Sequence, residues 1–295
     1  MSRPIYTQRP SKDVVRQMFV QMMSRLNKVD ELNNYRYVGF GALEFIDFDL
    51  MHRRLGIDDM VSIEHDGEHG DRYEANKPYQ CINILPGSSV NMLPKIDWSK
   101  LSIVWLDYEC ALVEDVFTDV AYLGAKLLPG SALAITLNAE PGRITDRQDR
   151  FEANVTAQRV PQGCDDDTLG EWGWATAQQR LLFATLRRET QRRSDAAEWR
   201  PVMNVHYRDD ARMQLYVGVI GSPGMNNVLD SCRFRDVPYF SDGLQASVIE
   251  VPYLTAHEQS TIRKKLPRKK RQRLSLPGVD SDRLKQYTDV YQWIG

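Results

Sequence analysis

The alternation of short β-rich runs with helical stretches between Tyr35 and Asn138 constrains this chain more than any other feature. Tyr35 to Gly39 (YRYVG) reads as a strand. After a glycine turn, Leu43, Ile46, Leu50 and Leu55 fall at helical spacing, and Gly56 closes the helix. MVSIE, from Met60, predicts a second strand, DRYEANKP a short helix stopped before Pro78, and CINIL, from Cys81, a third strand. The run Leu101 to Leu106 (LSIVWL) is apolar apart from Ser102, as a parallel strand covered on both faces must be, and it ends at Asp107. A helix over 113–127 and a fifth strand from Ala132 to Asn138 continue the series. Strands separated by helices run parallel with right-handed crossovers, so the sequence predicts an α/β fold: a doubly wound, mostly parallel sheet.

Outside that block the rhythm changes. Ser11 precedes a stretch in which Val14, Met18, Met22 and Leu26 recur every fourth residue, predicting a Ser-capped helix within an N-terminal extension, 1–34. From Pro141 onward β-rich runs give way to charged sequence, and 143–213 reads as an insertion carrying a helix over 175–193. The β-rich runs at 214–220 and 246–251 are expected to pair as a closing hairpin, so that 35–142 and 214–262 form one domain. Thr255 and Glu258 have capping-box spacing for a last short helix, and 263–295 is expected to be a loose basic segment.

Composition narrows the classes. The 42% hydrophobic and 26% charged residues exclude a disordered or collagenous chain. No run of eighteen apolar residues occurs and the start is polar, so neither a membrane span nor a secretion signal is expected, and the location expected is cytoplasmic. Cys81, Cys110, Cys164 and Cys232 lie far apart, without the CxxC pairing of a zinc or redox site, and read as free thiols. The five histidines show no HExxH spacing, and Asp165, Asp166 and Asp167 cannot all face one point, so no metal is expected. Trp172 and Trp174 are assigned to packing. The run RKKLPRKKRQR, 263–273, holds eight basic residues in eleven; it suits either nucleic acid or a solvated tail, and it has no aromatics for stacking bases.

In an open α/β sheet, ligands bind beyond the carboxyl ends of the strands. Gly39-Phe40-Gly41 follows strand one, where missing Cβ atoms permit close approach of a ligand. Glu64 ends strand two, where a carboxylate can accept from both hydroxyls of a ribose, and His65 follows it at the edge of the same crevice. Gly87-Ser88-Ser89 ends strand three. Asp107 and Tyr108 end strand four over the middle of the sheet, where Asp107 could orient a cofactor amine, bind a metal, act as a base or cap the next helix.

The order YVGFGA, VSIEHD, INILPGSSVNMLPKIDWSKLSIVWLDYE and LGAKLLPGSALAITLN resembles the successive motifs of class I S-adenosylmethionine-dependent methyltransferases, most of all the O-methyltransferase-like branch. The resemblance covers 35–138 and implies a seven-stranded sheet with an antiparallel last strand. It implies that Gly39, Phe40 and Gly41 pass under the methionine part of S-adenosylmethionine, that Glu64 holds the ribose with His65 beside it, and that Ser88 meets the adenine. Asp107 would face the cofactor amine and, with Tyr108, the transfer site. Two positions depart from the pattern: Tyr37 and Val38 stand where an acid usually precedes the first glycine, and Ser88 stands where Asp is common. No Asn-Pro-Pro-Tyr, Asp-Pro-Pro-Tyr or Pro-Cys motif is present, which disfavours a DNA base as acceptor and leaves RNA, protein or a small molecule. The rival reading is a catalytically inactive methyltransferase-like scaffold in a multi-protein, for instance bacterial defence, or nucleic-acid-associated complex. A protein partner or a homo-oligomer fits either reading, since Met18, Phe19, Met22 and Met23 could cover this core or a neighbour's.

Overall fold

A computed structural model describes residues 9–65, 70–243, 245–267 and 274–294. Its core is one eight-stranded sheet in the order β3-β2-β1-β4-β5-β7-β6-β8. The strands are β1 (Arg36–Gly39), β2 (Asp59–Glu64), β3 (Ile82–Pro86), β4 (Ser102–Asp107), β5 (Ala132–Asn138), β6 (Glu198–Arg208), β7 (Arg212–Gly221) and β8 (Ser247–Ile249). The first five are mutually parallel, with Val38 level with Val61 on one side and Val104 on the other. β7 then pairs antiparallel to both β5 and β6.

The helices are α1 (Pro10–Met23), α2 (Ile46–Leu55), α3 (Gly70–Asn76), α4 (Ser89–Met92), α5 (Glu114–Lys126), α6 (Arg147–Val155), α7 (Gly173–Gln191), α8 (Asn226–Ser231), α9 (Ala256–Arg263) and α10 (Ser281–Val290). They sandwich the sheet between two cores. Ile103 and Trp105 join α1 and α2 on one face, while Val104 and Leu106 join α5 and α7 on the other, the alternation that a strand's two-residue repeat imposes.

Four expectations are corrected. The sheet has eight strands instead of seven, because Ser247–Ile249 adds a parallel edge to β6. For the same reason the expected hairpin of 214–220 with 246–251 does not form; the partner of β7 is β6, inside the stretch read as an insertion. Pro201 hides that strand in the sequence, and the pairing accommodates it by a register shift between Pro201 and Met203. Ser11 does not cap α1 but lies within it, one residue after Pro10. In α2 the buried face is Asp47, Phe48, Met51 and Leu55, and Ile46 is exposed, so the apolar stripe lies off the predicted one.

The C-terminal segment is also more ordered than expected. Thr255 and Glu258 form the capping box of α9, and Leu254, Ile262, Leu284 and Tyr287 make a small third core with α10. Arg263 Nε donates to Tyr287 Oη at 2.8 Å, fastening the two helices. Residues 268–273 of the basic run lie outside the described residues. Among the described residues no helix is long and apolar enough to cross a membrane.

Candidate active site

The glycine turn after β1 is built around Glu64. Ser62 Oγ and the Gly41 N–H both donate to Glu64 Oε1, at 2.6 and 2.9 Å, and the Ala42 N–H also stabilises the anion. Burial outweighs these bonds and raises the carboxyl pKa. A Cβ at Gly41 would lie 2.4 Å from Phe45 Cδ1 and 2.7 Å from Ser62 Oγ, so the protein's own packing requires glycine there. A Cβ at Gly39 would meet Tyr37 Oη at 3.0 Å and the Trp105 carbonyl at 3.1 Å.

A second group lines the crevice on the α5 side. The Phe40 and Tyr108 rings meet edge to face at 5.3 Å. Tyr108 Oη donates to Asp119 Oδ2 at 2.6 Å, and Ser89 Oγ donates to the same oxygen. Burial and the nearby Asp119 anion push the Tyr108 phenol well above its usual range, so that hydroxyl holds a neutral structural bond. Ser88 sits half-buried at the start of α4, its carbonyl accepting from the Asn91 and Met92 N–H groups. His65 is exposed beyond β2.

Asp107 ends β4 against the start of α1. Its Oδ2 is paired with the Lys12 ammonium from α1, both side chains being largely buried, and its Oδ1 is buried with no hydrogen-bond partner among the described residues. One turn further along α1, Arg16 Nε donates to Asp47 Oδ1 at 2.6 Å, at the start of α2. The N-terminal end of α1 is capped by Asp209, whose two oxygens accept from the Ser11 and Lys12 N–H groups at 2.9 and 3.0 Å. Ser11 Oγ donates to the Arg208 carbonyl at 2.8 Å and accepts from the Val251 N–H at 3.1 Å. The helix is thus a strap from the β6–β7 hairpin across Asp107 to the glycine turn. Beside it opens a cleft of ≈ 280 Å³ lined by Arg9, Lys12, Glu109, Asn138, Tyr207 and Asp209, among others.

Over residues 4–294 the sequence matches the family described as "Putative O-methyltransferase". The chain belongs to that family. Methyl transfer is therefore the activity its family membership carries, and it favours an enzyme over the scaffold reading. Among solved structures, one described as a "putative O-methyltransferase" from Klebsiella pneumoniae is 14% identical, with 74% of this chain and 84% of that one covered and a TM-score of 0.41. TomG, an O-methyltransferase of Streptomyces achromogenes involved in tomaymycin synthesis and solved with S-adenosylmethionine, is 13% identical over 70% of this chain and 80% of its own, TM-score 0.41. A structure described as a "putative hemolysin" from Lactococcus lactis is 10% identical over 74% of this chain and 89% of that one, TM-score 0.44. No curated protein matches by sequence.

Two acids at the strand ends would suit a methyl-donating cofactor. Glu64 lies at the end of β2 beside the turn, and Asp107 offers a buried, unpartnered oxygen at the end of β4. Sequence reasoning reached both acids but missed Lys12, Arg16 and Asp209. A signal for the first two exists: they extend the stripe that carries Phe19 and Met23, placing two cations on a helix face that is otherwise apolar. Asp209 lies in a hairpin whose first strand was not recognised.

Proposed function

We propose that this O-methyltransferase uses S-adenosylmethionine to methylate a small molecule bound in the cleft beside α1. The observation that supports the reading best is the position of Asp107, at the carboxyl end of a central strand and paired with Lys12, which lines that cleft. When bound, the cofactor supplies a methyl group on a positively charged sulfur; the chain's task is alignment, which by itself accounts for much of the acceleration of such transfers. Gly39 and Gly41 would carry the methionine part, Glu64 the ribose, Ser88 and the Phe40–Tyr108 pair the adenine side, and Asp107 the amine and the reacting end. Tyr108 would shape the pocket through its ring, since its hydroxyl is engaged by Asp119. A cleft of ≈ 280 Å³ favours an acceptor smaller than a macromolecular segment.

Calorimetric titration with S-adenosylmethionine and S-adenosylhomocysteine tests the reading. Micromolar binding that weakens by about tenfold or more in Glu64→Ala is expected, since a hydroxyl pair would lose its acceptor. Absence of binding to the folded wild type would overturn it.

A further inference from the structure

We infer that the cleft beside α1 holds the protonated amino group of a small organic molecule, an ammonium gripped by Glu109, Asp210 and the Tyr207 hydroxyl. That this molecule is the methyl acceptor rests on the methyl-transfer reading of the same site; that the cleft takes an ammonium does not. Three acids, Glu109, Asp209 and Asp210, line the cleft against two bases, Arg9 and Lys12. Two of the five are already matched. Lys12 is paired with Asp107, and Asp209 accepts from the Ser11 and Lys12 N–H groups at the start of α1. The exposed Glu109 and Asp210 side chains have no hydrogen-bond or ion-pair partner among the described residues, and only the Arg9 guanidinium is left to oppose them. Unmatched negative charge at the mouth of a concave site concentrates cations there.

The wall of the cleft gives an independent sign of a ligand. Tyr207 is 2% exposed and lines the cleft, yet its hydroxyl has no hydrogen-bond partner among the described residues. A buried hydroxyl left unpaired is costly, so a ligand that completes it is favoured. Burial, with the Asp107 and Asp209 anions nearby, raises the Tyr207 pKa well above its usual range; the group stays neutral and keeps lone pairs for an N–H donor.

The same groups decide between ligands. A metal ion is the other cation that acids attract, but among the described residues no group of three or more His, Cys, Asp or Glu is placed to hold one. An ammonium offers three N–H donors, as many as Glu109, Asp210 and Tyr207 together can accept, and Ala211 and Met213 add apolar wall for a carbon skeleton. A carboxylate would find Lys12 already matched by Asp107 and would face the two rim acids. A protonated amine has no lone pair, so this group anchors the molecule and is not the atom that is methylated.

The test is a nuclear magnetic resonance titration of the full chain with three fragments of similar size, benzylammonium, benzyl alcohol and benzoate, with and without S-adenosylhomocysteine. Benzylammonium is expected to bind about tenfold or more tightly than the other two and to weaken as salt is raised. Glu109→Gln combined with Asp210→Asn should weaken it by about fivefold or more, and Tyr207→Phe by about threefold. Arg9→Gln removes the opposing cation and should tighten it by about twofold, a gain that a merely structural role would not give. Circular dichroism establishes that each variant is folded; should Tyr207→Phe not fold, the fragment ranking and the variants of the exposed Arg9, Glu109 and Asp210 still decide. Benzyl alcohol or benzoate binding as tightly as benzylammonium, no fragment binding at all, indifference to the double variant, or failure of Arg9→Gln to tighten binding would overturn the inference. Preference for benzylammonium in a wild type that does not bind S-adenosylhomocysteine would uphold the ammonium site and remove the methyl-transfer reading instead.

Discussion

The two sides of the sheet hold their polar groups in different ways. On the side of β1, β2 and β3, Glu64 is satisfied by Ser62 and by the turn at Gly41. On the side of β5, β7 and β6, α1 is tied down by residues about two hundred positions away, and its Lys12 reaches Asp107 from 95 positions earlier in the chain. One site region is assembled from adjacent strands of a repeating unit; the other exists only once the two ends of the chain have met. The two regions can therefore fail separately.

The largest expected effect breaks the long-range side. Lys12→Met leaves Asp107 as a buried carboxylate without its cation, a loss of about 3–5 kcal/mol for pairs of this kind. Replacing both partners, Lys12→Met with Asp107→Asn, should recover much of that loss, because the uncompensated charge goes with it. On the other side, Arg36→Met breaks a more exposed pair with Asp59 and should cost about 1 kcal/mol. Urea denaturation of the four proteins measures the comparison; equal losses for Lys12→Met and Arg36→Met would show that α1 is no more than a surface helix.

A smaller effect, specific to the antiparallel strands, should follow pH. His206 in β6 is 3% exposed, stacks on Trp172 at 4.9 Å, and has no hydrogen-bond partner for Nε2 among the described residues. Burial lowers its pKa from 6.5 to about 4. The folded state thus keeps the ring neutral while the unfolded state binds a proton, so its contribution is complete above pH 6.5 and is lost as pH falls toward about 4. The loss approaches about 3 kcal/mol at the acid end. The stability difference between wild type and His206→Phe, followed across that window, isolates it from the carboxylates; a difference independent of pH would contradict the assignment.

The same division explains what the sequence makes legible. The five parallel strands, the helices between them and both strand-end acids can be read directly, because each strand is a short apolar run bounded by a turn and its strand-end polar residues follow it immediately. β6 is obscured by Pro201 and by polar residues such as Asn204 and His206, which are buried, His206 against Trp172 from elsewhere in the chain. Lys12 has no local mark of its partner, since nothing in residues 9–15 specifies that β4 will end beneath it. Local chemistry is readable where the fold repeats and opaque where the topology closes.

The smallest effect in this series sharpens the comparison from the parallel side. In Gly41→Ala the new methyl would lie 2.4 Å from Phe45 Cδ1, and Phe45 is fully buried in the core beside Phe48, with its backbone at φ 48°. That ring cannot swing aside freely, so the turn itself must shift, at a cost of about 1–3 kcal/mol. Shifting the turn withdraws the Gly41 N–H from Glu64 and should weaken S-adenosylhomocysteine in the same variant. Gly39→Ala meets its nearest atoms at 3.0 and 3.1 Å, so a few tenths of an ångström relieve it and the loss should be smaller. Neither substitution should alter the loss caused by Lys12→Met, because Lys12 is held by α1 and β4. A strongly non-additive loss of stability when Gly41→Ala is combined with Lys12→Met would show that the two regions move as one, and the division between local and long-range assembly would fail.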